Sequence, residues 1–435
     1  MSPHRLTVTQ GQVSLAAPFG LSESILDVDD RIDLQSGGRL TVGDRVTLNT
    51  PALAIQGGAT SLTQLSFATG ATGSLGSVEV GGGGGVGQDA SLTILDETEV
   101  GLDDLSIGDT SHTSVVSVVG GTLTQSPASI AAVGTAGGAT ALLAVTDGGL
   151  LQLGTGGVTV AGAGRILNSG SEVQFAGDVT LAAGGFSYRE TVGSGATRSF
   201  AASSTLSVAD GAQATFDAAT LDLSAGQTLS LAGSGKVDAA GDFTLGTESR
   251  LHVTIDTSAA SVDPSVSSAG EVTLGGVLDI ELPTGQPAPA PGFQRTLIAA
   301  AGGFVGGFDN FLLPAVAGIS WQVDVLPTSV ELTAAEALPG DYNSDGLVNV
   351  ADYTVWRDSL DSTSALFADG DGNGRIEIAD YNLWRQAMLP PPAAVALAPE
   401  PAGMTLLLLA MATANRARRP RWLACSITHG RLALQ

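Results

Sequence analysis

One lysine in 435 residues, Lys236, and a single cysteine, Cys425, remove two explanations of this chain before any motif is sought. A lone cysteine forms no internal disulfide, so the fold is not stapled. The near absence of lysine, with a net charge of −25, excludes a nucleic-acid binder, because phosphates demand Lys and Arg. Charged residues make up only 14% of the chain and aromatic residues 5%, and the usual helix formers Glu, Lys and Gln are scarce. An ordinary helical enzyme does not look like this. Disorder is excluded as well, since 43% hydrophobic content fills a core. Also missing are a nucleophile elbow, zinc-ligand spacing and a dinucleotide fingerprint. The glycine run Gly81 to Gly85 follows a strand pattern but lacks the Lys and helix of a phosphate loop, and reads as a turn.

What is present is glycine, 59 copies, interleaved with short aliphatic strands. The clearest stretch holds Leu206–Val208, Ala214–Phe216, Leu221–Leu223, Leu229–Leu231, Phe243–Leu245 and Leu251–Ile255. Apolar and polar residues alternate inside each strand, the period of a strand with one buried face. Every third strand falls in step: 206 to 229, 221 to 243, 229 to 251. Three short strands per repeat of this length predict a mainly β chain wound as a parallel β-helix, or β-solenoid. A β-sandwich array is the rival, disfavoured by turns closer together than sandwiches use. The segment 269–336 carries longer alternating strands and Phe293, Phe304, Phe308, Phe311 and Trp321. It is predicted to be a β-rich region whose aromatic residues cap the solenoid of residues 1–268.

Residues 337–390 carry the chemistry. The segment DYNSDGLVNVAD, Asp341 to Asp352, returns as DGDGNGRIEIAD, Asp369 to Asp380. Each copy sets oxygen-bearing side chains at positions 1, 3, 5, 9 and 12 and glycine at position 6, the spacing of a calcium-binding EF-hand loop. The ligands expected in the first loop are Asp341, Asn343, Asp345, the Leu347 carbonyl, Asn349 and Asp352. Those expected in the second are Asp369, Asp371, Asn373, the Arg375 carbonyl, Glu377 and Asp380, giving two Ca2+ ions in all. Val348 and Ile376 at position 8 are expected to pair the loops and bury aliphatic side chains. The sequence after each loop repeats too, DYTVWR then DYNLWR, with Trp356 and Trp384 at equivalent places on predicted helices.

The tandem loops with Asp at position 12, each followed by one helix, resemble the type I dockerin domain over roughly residues 339 to 389. The resemblance implies a small all-α module that binds calcium and takes a cohesin-type module as partner, often within polysaccharide-degrading assemblies. Positions 10 and 11 read Val350-Ala351 and Ile378-Ala379, unlike the Ser-Thr pair of the best-known examples, so no known cohesin specificity carries over.

A Pro-rich linker, 391–398, leads to Pro399-Glu400-Pro401, an apolar run from Ala402 to Ala414, and Arg416, Arg418, Arg419 and Arg421. The segment 399–421 resembles the PEP-CTERM sorting signal, which implies an exosortase-type processing enzyme as partner and membrane contact only through a short C-terminal apolar helix. It departs from that pattern in an apolar run short of the roughly 20 residues that span a bilayer and in the extra tail 422–435. Both resemblances imply export to the cell surface or beyond. MSPHRLTVTQGQVSL lacks an apolar leader region, so export predicts a leader upstream of Met1.

The body offers few catalytic candidates. Asp96, Glu97, Glu99, Asp103 and Asp104 read as solvated turn residues, and His4, His112 and His252 have no partner recognisable in the sequence. The expected function is therefore a non-catalytic structural or adhesive protein of the bacterial surface. The competing expectation is a carbohydrate-active enzyme or carbohydrate-binding subunit acting on extracellular polysaccharide.

Overall fold

The computed structural model describes residues 5–17, 23–57, 62–81, 89–135, 138–182, 185–191, 193–217, 220–257, 264–316, 318–343, 346–363 and 367–388. The polyglycine turn beyond Gly81, His4, Asp345, Cys425 and the whole of 389–435 lie outside them.

Alternating apolar residues turn one face of each short strand inward, and a single coil of three such strands cannot bury that face alone. Stacking solves this. The chain winds into a parallel β-solenoid of about ten turns. The in-step pairs of the sequence are the ladder pairs of the structure: Leu206 lies opposite Leu229, Leu221 opposite Phe243, and Leu229 opposite Leu251. Lys236–Ala239, which the sequence pattern did not single out, completes the coil between them. A β-sandwich is excluded, since these ladders are parallel.

The coils form three faces. Two of them merge into one 19-stranded sheet because Val46–Ile55 and Thr72–Val80 run through a corner without stopping, pairing on both sides of it. The second face is a 14-stranded sheet. The third, one of the two merged faces, breaks between Thr197–Phe200 and Thr220–Leu223 and resumes as a four-stranded sheet. Corners need backbone that L-residues avoid: Gly276 sits at φ +66°, and a Cβ there would meet the Ser249 carbonyl oxygen at 2.0 Å.

The buried column is aliphatic, with Phe67, Phe216 and Phe243 fully enclosed. A polar inward pocket departs from it at the break in the third face. Arg198 stands in register with core Val173, and Glu190 with buried Asn168. The Glu190 carboxylate accepts from the Tyr188 hydroxyl (2.9 Å) and the Asp217 N–H (2.7 Å) and faces the Arg198 guanidinium (3.5 Å). Arg198 in turn donates to the Thr220 carbonyl (2.7 Å) and lies over the Phe216 ring. A buried charge persists only when paired and bonded in this way. Burial, then the Glu190 charge, raises the Tyr188 pKa well above its ordinary value.

The parallel ladders continue past residue 269 through Val272–Leu274, Val277–Glu281 and on to Phe304–Gly306 and Asn310–Leu312. The change comes where Gln294–Ala300 pairs antiparallel with Ser329–Glu336, itself paired antiparallel with Ile319–Val325. Of the aromatic residues expected to cap the core, Trp321 is buried against Phe293 in an edge contact of 6.5 Å, and Phe304 and Phe308 are half-buried. Phe311 differs. It stays 44% exposed because no further strand covers Asn310–Leu312 among the described residues.

Candidate metal centre

Two helices occur among the described residues, α1 (Val350–Asp358) and α2 (Ile378–Met388), each starting at the end of one predicted loop. Asn349 caps α1. Its side-chain oxygen accepts from Ala351 N–H, while Asp352 reaches back to the Asn349 N–H, a capping box. Neither helix is long and apolar enough to cross a membrane.

The position-12 carboxylates are fully buried, and each is held in the same way. Asp352 accepts from the N–H groups of Tyr342 (2.8 Å), Asn343 (3.0 Å) and Asn349 (2.7 Å). Asp380 accepts from those of Gly370 (2.8 Å), Asp371 (3.2 Å) and Glu377 (2.7 Å). Three charge-assisted bonds offset the cost of burying each carboxylate, which has no cationic side chain on it among the described residues. At position 1, Asp341 accepts from Gly346 N–H and Asp369 from Gly374 N–H, both at 2.8 Å, so each position-6 glycine closes its loop at φ +80° or +86°.

In the second loop the carboxylates of Asp369, Asp371 and Asp380 each bring an oxygen within 4.8 Å of the others, the one such convergence among the described residues. Asn373 and Glu377 join them, Asn373 Nδ2 lying 3.0 Å from Asp371 and 3.3 Å from Glu377. The carboxylates of Asp369, Asp371, Glu377 and Asp380, all oxygen donors, rich in negative charge and beside a glycine turn, fit a hard divalent cation such as calcium, while the Asn373 oxygen accepts from the Arg375 N–H (3.0 Å). In the first loop Asp341, Asn343, Asn349 and Asp352 share one turn, and the Leu347 carbonyl accepts from Asn349 Nδ2 at 3.4 Å; Asp345 is outside the described residues.

Position 8 behaves differently from the expectation. Ile376 is buried, but its backbone exchanges bonds with Asp361 and Ser362, at 2.9 and 3.0 Å, rather than with Val348, which is half-buried. The chain leaving α1 runs beside the second loop and takes that edge first. Arg375 turns its guanidinium to Asp361 (2.6 Å) on the surface, and that bond raises its pKa.

The sequence did not expose the contacts that join the two halves. Trp356 donates from its indole to the Glu377 carbonyl, and Trp384 to the Asn349 carbonyl, both at 2.8 Å. Glu377 and Asn349 are the position-9 residues, so each helix is tied to the loop of the other. Between them Tyr353, Trp356, Tyr381 and Trp384 pack with ring centroids 5.0 to 6.1 Å apart. Tyr342 breaks the symmetry. Its hydroxyl donates to the Asp380 carbonyl at 2.5 Å and occupies the space of a side chain at Gly370, whose Cβ would lie 2.7 Å from that oxygen. Burial, then the Asp380 charge, raises the Tyr342 pKa far above its ordinary value. Gly340 is required too, at φ +91° with a virtual Cβ 2.6 Å from the Trp384 Cα. The duplicated DYTVWR and DYNLWR were the only signal for these crossed bonds, and equivalence in sequence does not say which carbonyl an indole reaches.

Other candidates from the body fall on the surface or in pairs. Asp96, Glu97, Asp103 and Asp104 are exposed at two successive corners and Glu99 on the strand between them. Two histidines do have partners: His112 bonds to Asp109 (2.8 Å), and His252, on an outer strand face, lies between Asp279 (2.9 Å) and Glu281 (3.3 Å) on the next coil. Comparison with protein-family models finds none that matches the chain, and comparison with curated proteins likewise finds no match.

Proposed function

We propose that this is an exported, non-catalytic bacterial surface protein, in which the solenoid serves as a structural or adhesive rod and the paired loops as a calcium-dependent, dockerin-like module. The observation that carries the reading is the convergence of Asp369, Asp371 and Asp380 in an all-oxygen loop whose pattern is repeated from Asp341. Calcium acts structurally in it. Without the cation the converging carboxylates repel one another, and the apolar core that opposes this is small among the described residues: Tyr342, Trp356, Ala368 and Ile376 are buried, with Tyr353, Val355, Tyr381 and Trp384 half-buried against them. The PEP-CTERM-like segment 399–421, outside the described residues, supplies the sorting signal, with an exosortase-type enzyme as its processing partner. A cohesin-type partner is part of the same reading, without a known specificity.

The test is circular dichroism of the full chain through calcium and EGTA titrations. Expected is loss of helical and near-ultraviolet tryptophan signal on chelation, reversed by calcium, with the β signal unchanged. A spectrum indifferent to both additions would refute calcium dependence.

The second reading, polysaccharide binding or turnover, draws on a trough that crosses successive coils. Asp27, Asn49, Ser74 and Gly101 stand in register, and with Asp103 and Ser126 they line a cavity of about 370 Å³. Asn49 donates to Asp27 and Ser126 to Asp103, both at 2.7 Å, leaving a polar, small-floored channel suited to hydroxyl groups. Retention on immobilised polysaccharides, lost in Asn49→Ala and Asp103→Ala, would favour it over the first reading.

A further inference from the structure

On the third face one row of outward residues stays in register across eight strands, from Ser24–Asp27 to Thr197–Phe200, where the face breaks. Asp27, Asn49, Ser74 and Gly101 form the part that lines the trough, and Thr124, Gln152, Gln174 and Ser199 carry the row onward. All of them are exposed or half-buried. We propose that this row is a track for an uncharged polysaccharide chain lying along the solenoid axis; the proposal rests on the polysaccharide reading above and names the class of polymer.

The side chains of the row hold one another in place. Thr124 donates to Gln152 Oε1 (3.0 Å), Gln152 Nε2 to Gln174 Oε1 (2.8 Å), and Gln174 Nε2 to the Glu172 carboxylate (2.5 Å). A side-chain amide has two N–H donors and two acceptor lone pairs. The ladder uses one of each on Gln152 and Gln174, which leaves each amide one donor and one acceptor for an outside partner. A sugar hydroxyl both donates and accepts, so it can engage such a pair. The ladder has also fixed the amides beforehand, so binding immobilises little further. Strands in a sheet lie about 4.8 Å apart, which makes the row roughly 34 Å long. One sugar covers a small part of that length, whereas a polymer meets such contacts strand after strand.

Charge selects the class. Neither this row nor its outward neighbour, which runs from Thr47 through Leu150 to Thr197, holds Lys or Arg. The two rows do hold Asp27, Glu99 and Glu172, and Asp103 lies at the trough. These carboxylates accept from hydroxyl groups but repel the uronate or sulfate groups of an acidic polymer, and the net charge of −25 acts in the same sense. A cationic polymer would be drawn to so acidic a chain wherever it touched, with no need of the ladder. An uncharged chain is the one that depends on the fixed donors and acceptors.

Affinity electrophoresis of the full chain through gels holding hydroxyethylcellulose, galactomannan or polygalacturonate tests this. Retardation is expected from a neutral polymer and none from polygalacturonate. Gln152→Ala and Gln174→Ala should each weaken the retardation about fivefold, with the β melting transition unmoved as the check on folding. Retardation by polygalacturonate, alone or with the others, would overturn the proposed class and leave the polysaccharide reading standing. Loss confined to Asn49→Ala and Asp103→Ala, with both glutamine variants unchanged, would limit the site to the trough and overturn the track. A chain retarded by none of the three polymers would overturn the polysaccharide reading as well.

Discussion

The solenoid and the paired-loop module bury charge for opposite reasons. In the solenoid an inward carboxylate is an exception: Glu190 stands in an aliphatic column and is answered by Arg198, Tyr188 and a backbone N–H. In the module it is the rule, because Asp352 and Asp380 are fully buried at the centre of their halves, each held by three backbone donors. A column that grows with every coil tolerates one costly polar pocket. Four buried residues cannot supply comparable apolar stabilisation, so the module depends on hydrogen bonds and, in our reading, on a cation. Repetition stabilises the first region, and hydrogen bonds to buried carboxylates hold the second.

That contrast can be broken by truncating each region at its own centre. Phe243→Ala, deep in the column, should cost about 3–5 kcal/mol, lowering the melting temperature of the β signal while the helical signal of the module holds. Asp380→Ala takes the acceptor from three loop N–H groups, those of Gly370, Asp371 and Glu377. It should cost about 3 kcal/mol, read as earlier loss of the tryptophan near-ultraviolet signal with the solenoid transition unmoved. A common shift of both transitions in either variant would mean that the regions do not melt independently. A smaller effect is expected from Asn349→Ala, about 1 kcal/mol for the lost cap, again confined to the helical signal.

Alkali sharpens the comparison further, since each region holds one tyrosine whose pKa burial raises, Tyr188 and Tyr342. A raised folded-state value means that the neutral phenol is favoured in the fold. Its contribution is fully present below the unfolded value of about 10 and is lost as pH rises through the folded value. Ultraviolet titration should therefore show these two phenols ionising only with unfolding, in Tyr188→Phe and Tyr342→Phe difference experiments. Free ionisation near pH 10 of either one would contradict its burial.

Much of the fold was legible because the solenoid repeats one instruction. Alternation in Leu229–Leu231 or Phe243–Leu245 names the inward residues, and the constant spacing names their neighbours, so ladder register followed from counting. Counting failed where the pattern changes meaning. Arg198 and Glu190 look like surface residues in the sequence but point inward, since their partners come from other coils. The open edge that leaves Phe311 exposed is likewise a matter of what lies on top of it.

In the module the sequence by itself determined the oxygen-bearing loop positions, the glycine turns and the start of each helix, because loop positions 1 to 12 interact within a dozen residues and local geometry suffices. Only the tertiary structure decided that Trp356 and Trp384 cross to opposite loops, that Tyr342 fills the space above Gly370, and that Ile376 pairs with Asp361 and Ser362. Those contacts join residues far apart in the chain. Which donor meets which acceptor there is settled by how two helices pack, and no local pattern encodes it.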